Sequence, residues 1–410
     1  MKVVIAGAGL GGMTAAWRLA QHGHEVTVLE ASNRVGGRSW SEQLPNGEWV
    51  ERGGEFIRPN EHNFRRVAAE LEIPLIPHGI VFDRRWMPDG TRMSIEEMKG
   101  YIAKLYSTID QIVADGDIEA SLQTAAAQAF GNAYYENRMY LRVVTSLAND
   151  PARVSARAVR HHEWAGPTAG YLEHGARVMN GNNAITLAMH KQLGDVVRFD
   201  TAVASIEQTA HGVVMTSTDG REFVGDAGVV AVPLPKLRKL AKDMELPELL
   251  RGSIETREMG VAAKISVVAR SEAPSRGQQY PNAHWWTWNS TAPDADQGRQ
   301  ALTGFAGGRD TVEKLELQDG GVAWKNKVKA YRTDLDLTDD FIVTNWAEQK
   351  FTEGAYSAPG LQWRPEFDSI WDAPVGRLTF AGEHTGYSTL NGAVTTGLRA
   401  ARIVSDMARA

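Results

Sequence analysis

The first forty residues alternate between short apolar runs and one amphipathic segment. Lys2–Ala6 is rich in valine and isoleucine, which predicts a buried parallel strand. Apolar residues at helical spacing predict a helix over Met13–His22, and Gly23 is a natural stop for it. His24–Leu29 predicts a second strand, closed by Glu30. Strand, helix and strand in this order indicate a Rossmann-like α/β fold.

A G-x-G-x-x-G motif joins the first predicted strand to the helix, at Gly7, Gly9 and Gly12. Gly7 permits the tight turn, Gly9 lets a pyrophosphate approach the backbone, and Gly12 lets helix and strand pack closely. Glu30 stands where a carboxylate accepts hydrogen bonds from a ribose. A glycine-rich turn of another α/β protein is the alternative. A secretory signal is disfavoured, because the apolar run breaks at the glycines and cleavage would delete the first strand.

The later pattern is helical in the middle of the chain and α/β on both sides of it. Helical periodicity covers Ser94–Ala129 and Ala133–Leu147, which fits a substrate-binding insertion, and a short helix is predicted over Asn63–Leu71. A helix over Val178–Leu193 marks the return of the α/β pattern. Further strands are predicted at Val196–Phe199, Ala202–Gln208, Gly212–Ser217, Glu222–Val224, Val229–Val232, Met259–Val268 and at the start of Arg377–Thr385.

Composition narrows the function classes. A chain of 410 residues suggests two domains, and a net charge of −6 without a basic block argues against a nucleic-acid partner. No apolar run has transmembrane length. The lack of cysteine excludes disulfides, thiolate metal sites and a cysteinyl-linked cofactor, and it suits a reducing cytoplasm. No metal site is predicted, since His161-His162 has no partner at a ligand-like spacing in the sequence.

The segment Arg34-Val35-Gly36-Gly37-Arg38 adds a family resemblance. Together with the glycine motif and Glu30, it resembles the FAD-binding opening of the flavin amine oxidases, which include monoamine, polyamine and L-amino-acid oxidases. The resemblance implies that Gly37 and Arg38 approach the FAD pyrophosphate and flavin, as guanidinium and open backbone suit a diphosphate. A surface cation is the alternative for Arg38.

The segment Glu51–Arg58 is similar to the next element of that family, in which a pair of glycines precedes residues at the flavin edge. By this resemblance Gly54 and Glu55 would lie at the cofactor and Phe56 would point into the substrate space. Arg58 is a candidate for holding a substrate carboxylate, with a solvated arginine as the alternative.

The segment Arg377–Thr385 and the helix that opens at Asn391 are similar to the second FAD signature of the family. Two signatures near opposite ends of the chain imply FAD rather than NAD. Ala355 stands where some relatives carry a covalent flavin link, so the FAD is expected to be noncovalent. The remaining cofactor-binding residues implied by the resemblance are Val203, Trp346, Gly382, Glu383, Gly392, Ala393 and Val394.

Two residues are predicted to be catalytic by resemblance, besides Phe56. Lys264 stands among apolar neighbours, where a lysine needs a partner, and in the family a matching lysine holds a water against flavin N5. An edge-strand lysine that points to solvent is the alternative. Tyr356 would form one wall of an aromatic cage. The second cage aromatic falls at or near Thr389, so Tyr387 or a tryptophan would have to replace it.

A tryptophan-rich segment offers such a replacement. His284, Trp286 and Trp288 share one face of a predicted strand and could line an aromatic substrate pocket, with core packing as an equal alternative.

The implied architecture is a discontinuous Rossmann-like FAD-binding domain (1–75, 178–252 and 350–410) and an α+β substrate-binding domain (76–177 and 253–349). The implied activity is oxidation of an amine to an imine, then to a carbonyl, with O2 reduced to hydrogen peroxide. Alternatives are an L-amino-acid oxidase, a C–C desaturating flavoenzyme and a non-enzymatic FAD-binding scaffold. The expected partners are a small amine and O2, without nucleic acid or membrane, and a homodimer is a candidate assembly.

Overall fold

A computed structural model describes residues 1–409 except 81–84, 165–174, 273, 275, 281–282 and 292–298. The strands in this part of the chain are β1 (Lys2–Ala6), β2 (Glu25–Leu29), β3 (Ser41–Gln43), β4 (Trp49–Glu51), β5 (Leu75–Pro77), β6 (Ala176–Val178), β7 (Val197–Arg198), β8 (Val203–Thr209), β9 (Gly212–Ser217), β10 (Glu222–Gly225), β11 (Ala227–Val230), β12 (Arg257–Met259), β13 (Ala262–Ala269), β14 (Gly277–Gln279), β15 (Trp285–Asn289), β16 (Gln300–Gly307), β17 (Leu337–Asn345), β18 (Ser357–Pro359) and β19 (Leu378–Phe380). The α-helices are α1 (Leu10–Gln21), α2 (His62–Glu70), α3 (Ile95–Ala114), α4 (Leu122–Phe130), α5 (Arg138–Leu147), α6 (Ala156–His161), α7 (Ala184–Leu193), α8 (Leu234–Leu240), α9 (Glu248–Thr256), α10 (Arg309–Glu313), α11 (Val322–Tyr331), α12 (Glu366–Ser369) and α13 (Leu390–Met407).

A parallel sheet with the order β19-β11-β1-β2-β7 contains strands from the start, the middle and the end of the chain. Its central strand β1 is buried on both faces: Val3 and Ile5 pack with helices α1 and α13, while Val4 and Ala6 pack with β9 and α8. The predicted strand at Lys2–Ala6 and the Rossmann-like α/β fold are confirmed. Strand β2 follows β1 on one side and β11 lies on the other. The carboxyl ends of β1 and β11 therefore flank a crevice where ligands bind in such folds.

A second, antiparallel sheet has the order β14-β15-β16-β13-β17 and packs against α10 and α11. Helices α3 to α6 share a hydrophobic core, which confirms the predicted helical character, although residues 115–121 between α3 and α4 are not helical. The role of this region in substrate binding stays a prediction. The strands of the parallel sheet all fall in the segments predicted to bind FAD, and the domain boundaries stay a prediction. None of the helices in the described residues combines the length and apolarity that a membrane span requires.

The helix predicted over Val178–Leu193 is wrong in its first turn and a half. Val178 ends strand β6, which pairs with β5, and the helix begins at Ala184. Asn180 and Gly181 have φ values of 66° and 95°, and a right-handed helix does not continue through left-handed residues.

The strand predicted over Met259–Val268 is interrupted at Gly260, between β12 and β13. A Cβ at Gly260 would lie 2.8 Å from the carbonyl oxygen of Tyr356 and 2.9 Å from that of Ala148. This close backbone approach brings the Tyr356 segment against the start of β13.

Candidate functional site

A cavity of about 930 Å³ joins the glycine-rich turn after β1 to side chains of β13 and β15. It has the size of a site for a small molecule or cofactor. The predicted site residues that line it are Gly7, Gly9, Glu30, Gly37, Arg38, Gly54, Glu55, Phe56, Val203, Lys264, Trp346, Tyr356, Gly382, Glu383 and Ala393. The structure thus brings together residues from both ends and the middle of the sequence.

Three predicted cofactor residues, Gly12, Gly392 and Val394, are not among the described residues that line this cavity. A Cβ at Gly12 would lie 2.0 Å from the carbonyl oxygen of Gly7, and one at Gly392 would lie 1.8 Å from that of Tyr387. Val394 is fully buried in the core beneath α1. Gly12 and Gly392 therefore allow close backbone packing next to the cavity, and Val394 packs in the core; none of the three faces the cavity itself.

The glycine-rich turn has room for a phosphate. Gly7 has a φ of 101°, which favours glycine, and a Cβ at Gly9 would meet no atom of the described structure within 4 Å. Gly9 is the N-cap residue that precedes α1, and no capping side chain accepts a hydrogen bond from the first turn, so the N–H groups of this turn are left for a ligand. An open cradle at a helix N-terminus fits the pyrophosphate of a dinucleotide.

Glu30 is largely buried beside this turn. Its Oε2 accepts a hydrogen bond from the backbone of Ala8 at 2.8 Å, and its Oε1 accepts from the backbone and hydroxyl of Ser32 at 2.8 and 2.7 Å. The carboxylate holds the turn to the end of β2 while it lines the cavity. Its contact with a ribose stays a prediction.

Arg38 and Glu383 form an ion pair at the cavity, with a distance of 2.7 Å from Nη1 to Oε1; Glu383 is buried and Arg38 is half-buried. Arg38 also donates to the carbonyl of Ala355 at 2.6 Å, and Glu383 accepts from the backbone and hydroxyl of Ser357. Burial alone would raise the pKa of Glu383. The Arg38 guanidinium is the main opposing influence, and the pKa is lowered to about 2. The pair joins the two regions that carry the family signatures.

Lys264 lies in the interior and not at a sheet edge, so the solvent-facing alternative is wrong. Strand β13 is paired on both sides, and only 5% of the Lys264 side chain is exposed. Its Nζ lies 2.6 Å from Oε2 of Glu55 and donates to the carbonyl of Gly53 at 3.1 Å. The buried ammonium therefore has the partner that its burial requires.

Glu55 is the centre of a buried network. Its Oε1 accepts hydrogen bonds from Nε2 of His78 and Nε1 of Trp288, both at 2.7 Å. Burial alone would raise the pKa of Glu55, but the Lys264 ammonium and the His78 hydrogen bond outweigh it and hold this pKa well below its usual range. Burial lowers the pKa of His78, so its imidazole is neutral and donates from Nε2. The prediction that Glu55 contacts the cofactor stays a prediction.

Aromatic side chains line the cavity next to Lys264. Phe56 lies 6.0 Å from Trp286 and 5.5 Å from Trp288 between ring centroids, and the two tryptophans lie 4.3 Å apart. Trp286 and Trp288 are buried and also line the cavity, whereas His284 is not among the described lining residues. That this face meets a substrate stays a prediction. Phe305 lies on the neighbouring strand and completes this wall. We call the four residues Phe56, Trp286, Trp288 and Phe305 the aromatic wall.

Tyr356 lines the same cavity, and its hydroxyl donates to the carbonyl of Ser146 at 2.5 Å. Burial raises the pKa of Tyr356. Thr389 lines the cavity and caps α13 by accepting from the backbone of Gly392 at 2.9 Å. Tyr387 is 57% exposed and is not among the described lining residues. A tryptophan, and not Tyr387, thus supplies further aromatic surface.

Sequence reasoning missed two residues that hold this end of the site. Asn182 donates from Nδ2 to the carbonyls of Gly54 and Glu55 at 3.0 and 2.8 Å, so it fixes the segment after β4. His78 binds Glu55 as described. Asn182 was hidden in a predicted helix, and nothing in the neighbourhood of His78 in the sequence signals its role.

Arg58 is not among the described residues that line the cavity. Its backbone N–H donates to Glu61 at 2.8 Å, and its carbonyl accepts from Arg65 at 3.0 Å. These are backbone contacts and do not involve the guanidinium, so the predicted grip on a substrate carboxylate stays a prediction.

The pair His161-His162 does have a carboxylate nearby in space, although not in sequence. Nε2 of His162 lies 3.3 Å from Oδ2 of Asp368, and all three side chains offer ligand atoms within 4.8 Å of one another. The Arg257 guanidinium lies 3.6 Å from Asp368 and already supplies positive charge there. The prediction of no metal site stays a prediction.

Known proteins resemble the chain over its whole length. An L-amino acid dehydrogenase from Synechocystis sp. is 24% identical, covering 98% of this chain and 94% of that protein. A flavin-containing amine oxidase from Danio rerio is 25% identical, covering 98% and 85% respectively. The structure of cyclohexylamine oxidase from Brevibacterium oxydans IH-35A matches with a TM-score of 0.82 and 21% identity, over 100% of this chain and 99% of the other. That structural likeness confirms the fold.

The sequence profile of the flavin-containing amine oxidoreductases matches residues 10–405. This match begins within the glycine-rich turn, at Leu10, and includes the Lys264 strand and most of the closing helix α13. The family implies a flavin cofactor. The chain belongs to the flavin-containing amine oxidoreductase family and is a flavin-dependent oxidoreductase.

Proposed function

We propose that the protein is an FAD-dependent oxidase of small neutral amines, which it converts to imines with reduction of O2 to hydrogen peroxide. The observation that carries this proposal is one cavity with a phosphate cradle among its lining residues and a buried lysine beside an aromatic wall. The amine oxidases among the similar proteins support the same class of substrate.

The proposed cofactor is noncovalent FAD. Gly7, Gly9 and the first turn of α1 would hold its pyrophosphate, with Glu30 near the ribose. Val203 and Trp346 line the same cavity and would pack against the rings. Ala355 precedes Tyr356 and has no side-chain nucleophile, which supports noncovalent binding.

The aromatic wall favours an amine with an apolar body. Among the described residues Arg85 also contacts this wall, with its guanidinium carbon 3.8 Å from the ring centroid of Trp286, but the cation that both contacts the wall and lines the cavity is Lys264, with Nζ 5.3 Å from the ring centroid of Trp288. Its charge is already balanced by Glu55 at 2.6 Å. A substrate carboxylate would therefore find a paired lysine and not an unbalanced one, and this supports amines over amino acids.

When bound, the flavin supplies the redox chemistry, accepting two electrons from the amine and passing them to O2. The chain contributes positioning: Phe56 and Tyr356 would hold the amine between them and keep bulk water away. Lys264 would hold a water through Nζ–H, and this water would hydrolyse the imine to a carbonyl or assist flavin reoxidation. No side-chain base is required if the amine binds in its neutral form.

The test is anaerobic mixing of the FAD-loaded protein with pairs of substrates that share one apolar body, one member bearing a carboxylate. Bleaching of the flavin absorbance measures electron transfer from each compound. We expect the amines to bleach the flavin at least tenfold faster than the matched amino acids, a difference of about 1.4 kcal/mol in barrier height. Faster bleaching by the amino acids would favour the L-amino-acid oxidase alternative, which the similarity to an L-amino acid dehydrogenase keeps as the second candidate. If no member of any pair bleaches the flavin, the amine oxidase proposal is wrong.

A further inference from the structure

The carboxylate of Glu55 uses both oxygens to hold buried donors beside the cavity. Oε2 pairs with Lys264 at 2.6 Å, and Oε1 accepts from His78 and Trp288 at 2.7 Å each. The side chains of Glu55 and His78 are 3% and 0% exposed, so water does not screen these contacts appreciably. A carboxylate in this setting acts as a fixed charge.

The network carries almost no net charge. Glu55 is ionised, Lys264 is its counter-ion, and His78 contributes a neutral imidazole, whose Nδ1 has no hydrogen-bond partner among the described residues. Removing either member of a buried ion pair leaves the other charge uncompensated, which costs far more than losing both.

The network also reaches the substrate side of the cavity. The imidazole of His78 stacks on the ring of Phe56, with centroids 4.2 Å apart and planes 24° from parallel. Trp288 belongs to the aromatic wall and donates to the same carboxylate oxygen as His78. Displacing Glu55 would therefore disturb both the lysine and the wall.

We propose that Glu55 is a positioning residue for Lys264: it fixes Nζ at the cavity wall and offsets its charge, while His78 holds the carboxylate in place. This inference rests on the proposed function, in which Lys264 acts beside the flavin. It gives Glu55 a role different from the direct cofactor contact that the family resemblance implies.

The inference has an electrostatic consequence for a bound flavin. Reduction adds negative charge to the flavin, so an uncompensated ammonium nearby favours the reduced form and an uncompensated carboxylate disfavours it. Glu55→Gln should therefore raise the midpoint potential, and Lys264→Met should lower it. The double variant, which removes both charges, should return close to the wild-type potential.

The experiment measures the midpoint potential of the FAD-loaded wild type, both single variants and the double variant, without substrate. A purely structural role for Glu55 would lower stability but would not produce shifts of opposite sign. Shifts in the same direction, or none, would overturn the proposal. Because no amine is present, this result is independent of whether the bleaching test supports the proposed function.

Reoxidation by O2 gives a second measurement. We expect O2 to reoxidise the single variants about tenfold more slowly than the wild type, a difference of about 1.4 kcal/mol in barrier height. Glu55→Asp keeps the charge and should recover part of the lost rate. If the single variants do not fold but the double variant folds and binds FAD, the pairing is supported, because only the single variants bury an unmatched charge. A double variant that fails as they do would overturn it.

Glu51 provides a matched control. It is as buried as Glu55, but it accepts from neutral donors, Ser41 and Asn182, each at 2.7 Å. Burial raises the pKa of Glu51 to about 7, so at about pH 6 the residue is mostly protonated and Glu51→Gln changes little charge. At that pH the potential of Glu51→Gln should match the wild type. A shift as large as that of Glu55→Gln would show that any buried glutamate here affects the flavin equally, and would count against the specific role.

Discussion

The phosphate cradle and the aromatic end of the cavity are built by different means. The cradle depends on the absence of side chains: Gly7 has a positive φ, Gly9 is open, and Gly12 lies where a Cβ would meet backbone. The aromatic end depends on side chains whose polar atoms are paired, above all Glu55 with Lys264, His78 and Trp288. Adding one methyl group should damage the cradle, whereas the aromatic end should be damaged when one member of a pair is removed.

Gly12→Ala should have the largest effect. The new Cβ would lie 2.0 Å from the carbonyl oxygen of Gly7, and this backbone cannot move without breaking the turn. We expect a loss of at least about 3 kcal/mol in stability, with little FAD retained. Thermal unfolding and the ratio of flavin to protein absorbance measure the two effects.

Gly9→Ala sharpens the comparison within the same turn. Its Cβ meets no described protein atom within 4 Å, and Gly9 has an ordinary negative φ of −67°. The apoprotein should keep its melting temperature to within a few degrees, while FAD binds at least tenfold more weakly because the methyl group occupies phosphate space. Normal FAD affinity in this variant would mean that the pyrophosphate does not approach Gly9.

Glu383→Gln tests the ion pair that joins the two regions. Arg38 would lose its charged partner, and we expect the variant to be less stable at neutral pH by about 3 kcal/mol. In the wild type the pKa of Glu383 is about 2 in the folded protein, below its ordinary value of 4.5. This carboxylate therefore stabilises the fold above about pH 4.5, and the contribution of about 3 kcal/mol is lost as the pH falls towards 2.

Urea unfolding between about pH 8 and pH 3 measures this dependence. Glu383→Gln should remove part of the acid-induced loss of stability. Glu51→Gln should act at the other end of the pH range, because the pKa of Glu51 is raised to about 7 by burial. Its stabilising contribution is complete below about pH 4.5 and is lost as the pH rises to 7, so the glutamine variant should be the more stable one above pH 7. Equal pH profiles for both variants would contradict the opposite pKa shifts.

The contrast between the glycine cradle and the paired side chains also explains which site residues could be predicted from the sequence. The glycine motif is local, so Gly7, Gly9 and Gly12 could be assigned from strand, turn and helix alone. The partners of Glu55 are 23 and 209 residues away in His78 and Lys264, and Asn182 reaches its carbonyl from 127 residues away. A buried lysine signals that it needs a partner but does not identify it. The periodicity of Val178–Leu193 also could not show that Asn180 and Gly181 have positive φ values, which keep the first residues of this segment out of the helix.

Tyr356→Phe should have the smallest effect. It distinguishes a role of the Tyr356 ring as an aromatic surface from a role of its hydroxyl group. The hydroxyl of Tyr356 donates to the carbonyl of Ser146 at 2.5 Å, and its loss should cost about 1 kcal/mol of stability. The aromatic surface remains, so the rate of flavin bleaching by the best amine should stay within about threefold of the wild type, or about 0.7 kcal/mol.

Tyr356→Leu is the matched variant, because it removes the hydroxyl and the ring together. If the ring orients the amine, this variant should raise KM or lower kcat by at least tenfold beyond Tyr356→Phe, since a flexible side chain no longer fixes the substrate. Steady-state oxygen consumption gives both parameters. A Tyr356→Phe variant as impaired as Tyr356→Leu would instead place the function in the hydroxyl. Tyr356 would then act through a paired polar group, as the residues around Glu55 do, and not through its aromatic surface.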